Sequence, residues 1–147
     1  MESEKKEKTP DANDLYMQLQ YLQQVYSQQY EVLNQSIDSY TAMQAVLNGN
    51  IEIIDNGKHL DNKQIFVGTE GGMYISAESK PLKSVITYIG AGYLVEQNLE
   101  DAKQFFQDKV TKGEELIKKL VAQRQKIRDE LADINYRIGA IQSQGLV

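Results

Sequence analysis

The 147-residue sequence contains no cysteine, two prolines and a single histidine. Without thiols the chain has no disulfide framework and no thiolate metal site, which favours a reducing compartment. The N-terminal segment lacks the basic and apolar regions of a signal peptide, and no apolar run approaches the roughly 20 residues that are needed to cross a bilayer. We therefore expect a soluble, cytoplasmic protein that, by its length, forms a single domain over residues 1–147.

Basic residues are also absent from a long part of the chain. No Lys or Arg occurs between Thr9 and Gly57, whereas residues 98–143 carry nine basic and eight acidic residues, and the formal net charge is −5. Binding to phosphates requires clustered Lys and Arg, so this composition argues against a nucleic-acid surface. The anionic first half likewise argues against binding to an anionic membrane.

No catalytic constellation is visible in the sequence. His59 stands in a polar connector without the companions that a metal or acid–base role requires. Neighbouring acids such as Glu114-Glu115 diverge by about 100° on a helix, so they do not form a carboxylate pair. Gly90-Ala91-Gly92 leads into a strand instead of a phosphate-binding helix, and no GxxxxGK[ST] motif exists. We therefore expect no enzyme activity, no cofactor and no metal.

Two long segments are predicted to be helices. Thr9-Pro10-Asp11 indicates a helix start and Asn56-Gly57 a stop, which predicts a helix over 10–56. Asn98 is the predicted N-cap of a second helix over 98–143. Each helix would be roughly 70 Å long. Equal lengths predict an antiparallel coiled-coil hairpin, because every seam residue then finds a partner. The charged residues 1–8 are interpreted as a disordered tail.

Heptad patterns define the predicted seam of that coiled coil. In the first helix one predicted row is Leu19, Tyr26, Leu33, Tyr40 and Leu47, and the other is Leu15, Leu22, Gln29, Ser36 and Met43. The apolar surface of this helix is widened on one side by Tyr30, Ile37 and Ile51. In the second helix the rows are Leu99, Phe106, Gly113, Leu120, Ile127, Ile134 and Ile141, and Lys103, Val110, Ile117, Arg124, Leu131 and Ile138. In this register Arg124 would lie opposite Gln29 and Tyr30, and Gly113 near Tyr40.

Residues 64–97 interrupt the helical pattern with alternating, strand-like segments and glycine turns. Two β-hairpins are predicted, with turns at Gly71-Gly72 and at Gly90-Ala91-Gly92. Because two short hairpins are marginal in water, we expect them to form an oligomerisation platform. The residues predicted to carry it are Ile65, Val67, Ile75, Val85, Ile86, Ile89 and Val95. The expected fold class is mainly α with a small β part.

Apolar residues also gather where the two helices are predicted to end, opposite the hairpins. They are Leu15, Tyr16, Leu19, Ile138, Ile141, Leu146 and Val147. These residues either pack against one another, or bind apolar segments of another protein through exposed faces. Tyr16 and Tyr21 are the better candidates among the tyrosines for contacting a partner. Both interpretations are open from the sequence.

The order helix, two hairpins, helix resembles prefoldin, specifically its archaeal alpha-type subunit, over nearly the whole chain. Residues 89–110, IGAGYLVEQNLEDAKQFFQDKV, carry the likeness most clearly, followed by 66–75, FVGTEGGMYI, in which Gly68 replaces the family's usual proline. Two hairpins favour the alpha type over the beta type.

The resemblance implies an ATP-independent holdase. Two alpha and four beta-type subunits would join their hairpins in a double β-barrel, and the coiled-coil tips would hold unfolded client proteins and deliver them to a group II chaperonin. The alternative is a structural coiled-coil adaptor or scaffold subunit that serves one fixed protein partner.

Overall fold

The computed structural model describes residues 11–146, so the predicted tail, Thr9-Pro10 and Val147 lie outside the described residues. The elements are α1 Ala12–Gly57, β1 Gln64–Gly68, β2 Tyr74–Glu78, β3 Ser84–Gly90, β4 Tyr93–Asn98 and α2 Leu99–Ser143. This order of a helix, two antiparallel hairpins and a second helix confirms the predicted fold class.

The first helix has well-defined ends. The Leu15 N–H donates to the Asp11 carbonyl at 3.0 Å, so the helix begins after Asp11, two residues beyond the predicted start. At the other end the Leu82 N–H donates to the Gly57 carbonyl at 3.0 Å and caps the helix. Gly57 is buried, and a Cβ at this position would overlap the Leu82 side chain. A side chain at residue 57 would therefore displace the segment that closes α1.

The second helix is capped as the sequence predicts. The Asp101 N–H donates to Asn98 Oδ1 at 2.8 Å, and Asn98 Nδ2 donates to Asp101 Oδ2 at 2.9 Å. After Ser143 the chain turns at Gly145, which has a φ of 64°, and the Leu146 N–H donates to the Ile141 carbonyl at 3.4 Å. A left-handed glycine with such a backward hydrogen bond is a common helix ending.

The four strands form two separate two-stranded sheets. In the first, β1 pairs with β2 so that Val67 faces Ile75. In the second, β3 pairs with β4 so that Tyr88 faces Leu94, with an irregularity between Tyr88 and Gly90. The turn of the second hairpin places Ala91 at a φ of 50°, between two glycines that also have positive φ. Both predicted hairpins are therefore present.

Packing divides the chain into two compact units. Of the described residues, the first contains 11–39 and 117–146, and the second is Tyr40–Leu116. Each contains part of both helices, and in each the helices run antiparallel. The second unit also holds both hairpins.

Polar contacts fix the helix register within each unit. In the first unit, Gln23 Nε2 donates to Asn135 Oδ1 at 2.5 Å, and Arg124 Nη1 donates to Asn34 Oδ1 at 3.1 Å. In the second unit, Lys103 Nζ contacts Asp55 Oδ1 at 2.6 Å. Arg124 therefore lies opposite Asn34, not opposite Gln29 and Tyr30 as predicted, because the two helices pair in a register about one helical turn away from the predicted one.

The seam of α2 is confirmed, since every residue of its two predicted rows is buried or half-buried. In α1 the row from Leu19 to Leu47 is likewise covered, apart from Tyr40, which is 43% exposed. The second predicted row of α1 is wrong, because Leu22, Gln29 and Met43 are exposed. The covered row lies one residue later, at Tyr16, Gln23, Tyr30, Ile37, Gln44 and Ile51. Gly113 accordingly faces Gln44 instead of Tyr40.

Candidate functional site

A buried cluster joins the N-terminal end of α1 to the C-terminal end of α2, and we refer to it as the tip cluster. Leu19, Ile134 and Ile141 form its centre, with Leu19 only 2% exposed. Leu15, Tyr16, Tyr26 and Ile138 pack around this centre. Most of the predicted tip residues are thus brought together and contact one another. Leu146 stands apart at 53% exposure, and Val147 lies outside the described residues.

Other apolar side chains beside the tip cluster point towards solvent. On α1, Met17 and Tyr21 are 54% and 67% exposed, and on α2 Tyr136 is 78% exposed. Met17 and Tyr21 are four residues apart, so they lie on one face of the helix. Tyr21 was a candidate from the sequence, whereas Met17 and Tyr136 were missed. The sequence could have identified Met17 and Tyr136, because both are large apolar residues that fall outside the heptad rows of their helices.

The tip also carries a polar contact that orders Tyr16. Its hydroxyl accepts a hydrogen bond from Gln142 Nε2 at 3.0 Å, and the ring is half-buried against the tip cluster. Tyr16 is therefore held by both its ring and its hydroxyl. Of the two tyrosines proposed from the sequence for partner contact, Tyr21 presents more of its surface.

The second hairpin has one face in the core and one face outside. Val85 packs against a buried cluster of Ile54, Leu99 and Ala102, and the neighbouring Thr87 is 4% exposed. On the opposite face lie Ile86, Tyr88 and Leu94, which are 71%, 58% and 66% exposed. Of the predicted platform residues on this hairpin, Val85 is thus used inside the chain, and Ile86, Ile89 and Val95 are exposed.

The first hairpin exposes apolar side chains on both faces. The facing pair Val67 and Ile75 is 49% and 53% exposed on one side, and Phe66 and Tyr74 are 67% and 69% exposed on the other. Ile65 is half-buried. A two-stranded sheet cannot cover two apolar faces by itself, so both faces of this hairpin remain accessible in the single chain. Phe66 and Tyr74 were missed because the alternating pattern was interpreted as having one apolar face.

The described residues show no grouping suited to metal chemistry or to a membrane span. Within residues 11–146, no three His, Cys, Asp or Glu side chains gather closely enough to hold a metal ion. Over the same range, neither helix is apolar enough along its length to cross a bilayer. His59, the one histidine of the sequence, is exposed in the connector between α1 and β1.

The family model described as "Prefoldin subunit" matches residues 26–144 of the chain. The probable prefoldin subunit 5 of Drosophila melanogaster is 29% identical over 104 residues, which are 70% of this chain and 62% of that protein. The chain therefore spans less than two thirds of that relative's length. Prefoldin subunit alpha of Methanocorpusculum labreanum is 27% identical over 120 residues, 81% of this chain and 82% of that protein.

Among solved structures, the cryo-EM structure of filamentous PFD from Methanocaldococcus jannaschii has the same fold. The TM-score is 0.56 at 20% sequence identity, and the alignment covers 85% of this chain and 98% of that chain.

Proposed function

The chain belongs to the prefoldin family, and we propose that it is the alpha-type subunit of an ATP-independent holdase in the cytoplasm. Prefoldins are a family of chaperones. In this proposal the subunit assembles with beta-type subunits, holds unfolded client proteins at its coiled-coil tip and delivers them to a group II chaperonin. Family membership is the support for the delivery step.

The exposed faces of the hairpins support assembly with other subunits. Ile86, Tyr88 and Leu94 on one hairpin, with Phe66 and Tyr74 on the other, are all more than half exposed. Covering a large apolar side chain stabilises a complex by about 1.5–3 kcal/mol. We assign these faces, together with Ile65, Val67, Ile75, Ile89 and Val95, to a shared β-barrel in a hexamer of two alpha and four beta-type subunits.

The exposed apolar side chains at the tip carry the proposal for client binding. Met17, Tyr21 and Leu146 present apolar surface beside a cluster that already holds the helix ends together. They can thus contact a client without unpacking Leu19 or Ile141. Weak contacts at several tips of one assembly would add through effective concentration, so no single tip needs high affinity. Methionine and tyrosine suit varied partners, which is expected of a holdase.

The proposal is tested by substituting only exposed tip residues. The triple variant Met17→Ser, Tyr21→Ser, Leu146→Ser, assembled with beta-type subunits, should lose most of its ability to suppress light scattering by a denatured client. Val46→Ser is the control, because Val46 is 60% exposed on α1 and lies in the second unit. Native mass measurement should show the same assembly for all variants.

Unchanged suppression by the triple variant would contradict client binding at the tip. An adaptor would behave differently from the outset. It would bind one folded protein saturably, and the unsubstituted assembly would not reduce aggregation of any denatured client.

A further inference from the structure

A groove of about 680 Å³ runs along one side of the α1/α2 pair in the first unit. Its floor is apolar and consists of Val25, Val32, Leu33 and Ile127. Val32 is 61% exposed, and the other three are half-buried. None of these residues belongs to the tip cluster. The volume lies in the range of about 300–1,000 Å³ that is typical of ligand-binding clefts.

The rim of the groove is polar and almost uncharged. Gln28 and Gln29 line the α1 side, and Gln123 and Lys126 line the α2 side. Lys126 is the one charged residue in this lining, and the α1 side has no basic residue because α1 contains none. Lys126 therefore attracts a carboxylate to the α2 edge of the groove.

We propose that this groove is a lateral site for unfolded chain, which takes an extended apolar segment of about four residues with an acidic side chain beside it. The proposal rests on the holdase function proposed above and adds a site separate from the tip. Residues 25–33 of α1 span about 12 Å at 1.5 Å per residue, which matches about four residues of extended chain.

The glutamines on the two walls favour an extended segment over a helix. An extended segment in a groove must find partners for its backbone N–H and C=O groups, and each glutamine amide offers both donors and an acceptor. A helix, including one from a second copy of this chain, satisfies its own backbone and can offer these amides only side-chain partners. Covering an unpaired polar group costs about 1–3 kcal/mol. Chain that enters the groove near Val25 also passes close to Tyr21, one helical turn away, and so can continue to the tip.

Two fluorescent nine-residue peptides test the proposal. Both have the centre Val-Leu-Val-Ile between serines, and they differ only in carrying Asp or Lys next to this centre. With the full-length chain assembled with beta-type subunits and carrying the three serine substitutions at the tip, fluorescence polarisation should show roughly threefold tighter binding of the Asp peptide. Lys126→Glu should reverse that preference.

Val32→Glu should weaken binding of both peptides by at least about tenfold, because it places a charge on the apolar floor. Val46→Glu is the matched control, since Val46 is 60% exposed on the same helix and does not line the groove. Equal binding by the Val32 and Val46 variants would overturn the proposal. A doubled native mass of the unsubstituted assembly that Val32→Glu abolishes would also overturn it, because a second copy would then occupy the groove.

The lateral site and the tip can fail independently. If Val32→Glu has no effect on peptide binding while the tip substitutions abolish suppression of aggregation, the groove proposal fails and the proposed function stands. If the tip substitutions leave suppression unchanged, client binding at the tip fails whatever the peptides show, and if the unsubstituted assembly suppresses no aggregation, the proposed holdase function itself fails.

Discussion

The amide of Gln44 lies against α2 at Gly113, where a Cβ would stand 2.8 Å from Gln44 Nε2. From this position Nε2 donates to the Val110 carbonyl at 2.7 Å. Gln44 Oε1 is buried and has no hydrogen-bond partner among the described residues. The glycine thus makes room for a polar side chain to cross the seam, and the two residues should be energetically coupled.

A double-mutant cycle measures this coupling. Gly113→Ala alone should change the free energy of unfolding by less than about 1 kcal/mol, because the gain in helix propensity is offset by the displaced Gln44 amide. In a Gln44→Ala background the same change should stabilise by about 1 kcal/mol, since only the propensity remains. Urea denaturation at fixed protein concentration provides both values. Equal effects of Gly113→Ala in the two backgrounds would show that the side chains are not coupled.

Leu19 and Met17 should respond very differently to truncation although they are two residues apart. Leu19 is 2% exposed in the tip cluster, so Leu19→Ala should cost about 2–5 kcal/mol through lost burial and a cavity. Met17 is 54% exposed, so Met17→Ala should change stability by no more than about 0.5 kcal/mol. Denaturant midpoints compare the two. Similar losses would mean that Met17 is packed and is unsuited to client contact.

The ion pair between Lys103 and Asp55 should contribute little to stability. The charged atoms are 2.6 Å apart, but the side chains are 37% and 47% exposed. Asp55→Asn should therefore cost less than about 1 kcal/mol. Because salt screens exposed charges, the loss should shrink at about 1 M NaCl. Ile54→Ala, at the neighbouring 3% exposed position, is the contrast, with an expected cost of about 2–5 kcal/mol in either salt. A salt-independent loss for Asp55→Asn would point to a packing role.

Thr87→Val should stabilise the chain. Thr87 is 4% exposed, and its hydroxyl has no hydrogen-bond partner among residues 11–146. Valine has nearly the same shape and removes the covered hydroxyl, so we expect a gain of about 1 kcal/mol or more. Thermal unfolding at fixed concentration would show a higher midpoint. A lower midpoint would indicate that the hydroxyl is satisfied by a group outside these contacts, such as one from another subunit.

Ile86→Ser should weaken assembly without weakening the fold of the chain. Ile86 is 71% exposed on the outer face of the second hairpin, so its truncation removes nothing from the core. Native mass spectra with beta-type subunits should show smaller species, while circular dichroism of the variant alone is unchanged. Val46→Ser should assemble normally. Full assembly of the Ile86 variant would place the subunit interface elsewhere.

The sequence predicted the second helix better than the first. In α2 every position of the two predicted heptad rows is covered, and the exposed apolar residues Val121 and Tyr136 lie outside those rows. In α1 two adjacent rows compete, and Leu15, Leu22 and Met43 favoured the wrong one. The row that the structure uses contains Gln23 and Gln44, whose amides bond to Asn135 and to the Val110 carbonyl. Those partners lie on α2, so no pattern within α1 could show that polar residues belong in the seam.

The strand pairs and turns were predictable, but the exposure of their side chains was not. Alternation correctly indicated two hairpins with Val85 and Ile86 on opposite faces, but it did not indicate that Val85 packs against the cluster of Ile54, Leu99 and Ala102 while Ile86 is exposed. The exposure of the tip residues was equally unpredictable, because Leu19 and Met17 are both apolar but only Leu19 is buried. Which residues remain available to a partner depends on what packs beside them, and a single sequence does not contain that information.

The absence of Lys and Arg throughout α1 determines how the protein can be probed chemically. Trypsin has no cleavage site between Lys8 and Lys58, so limited digestion cannot cut within α1 and reports only on the residues before it, the connectors, the hairpins and α2. Amine-reactive crosslinkers likewise find no lysine to react with in α1. Mapping what touches Met17, Tyr21 or Val32 will therefore need carboxylate-directed, photoactivated or engineered cysteine reagents.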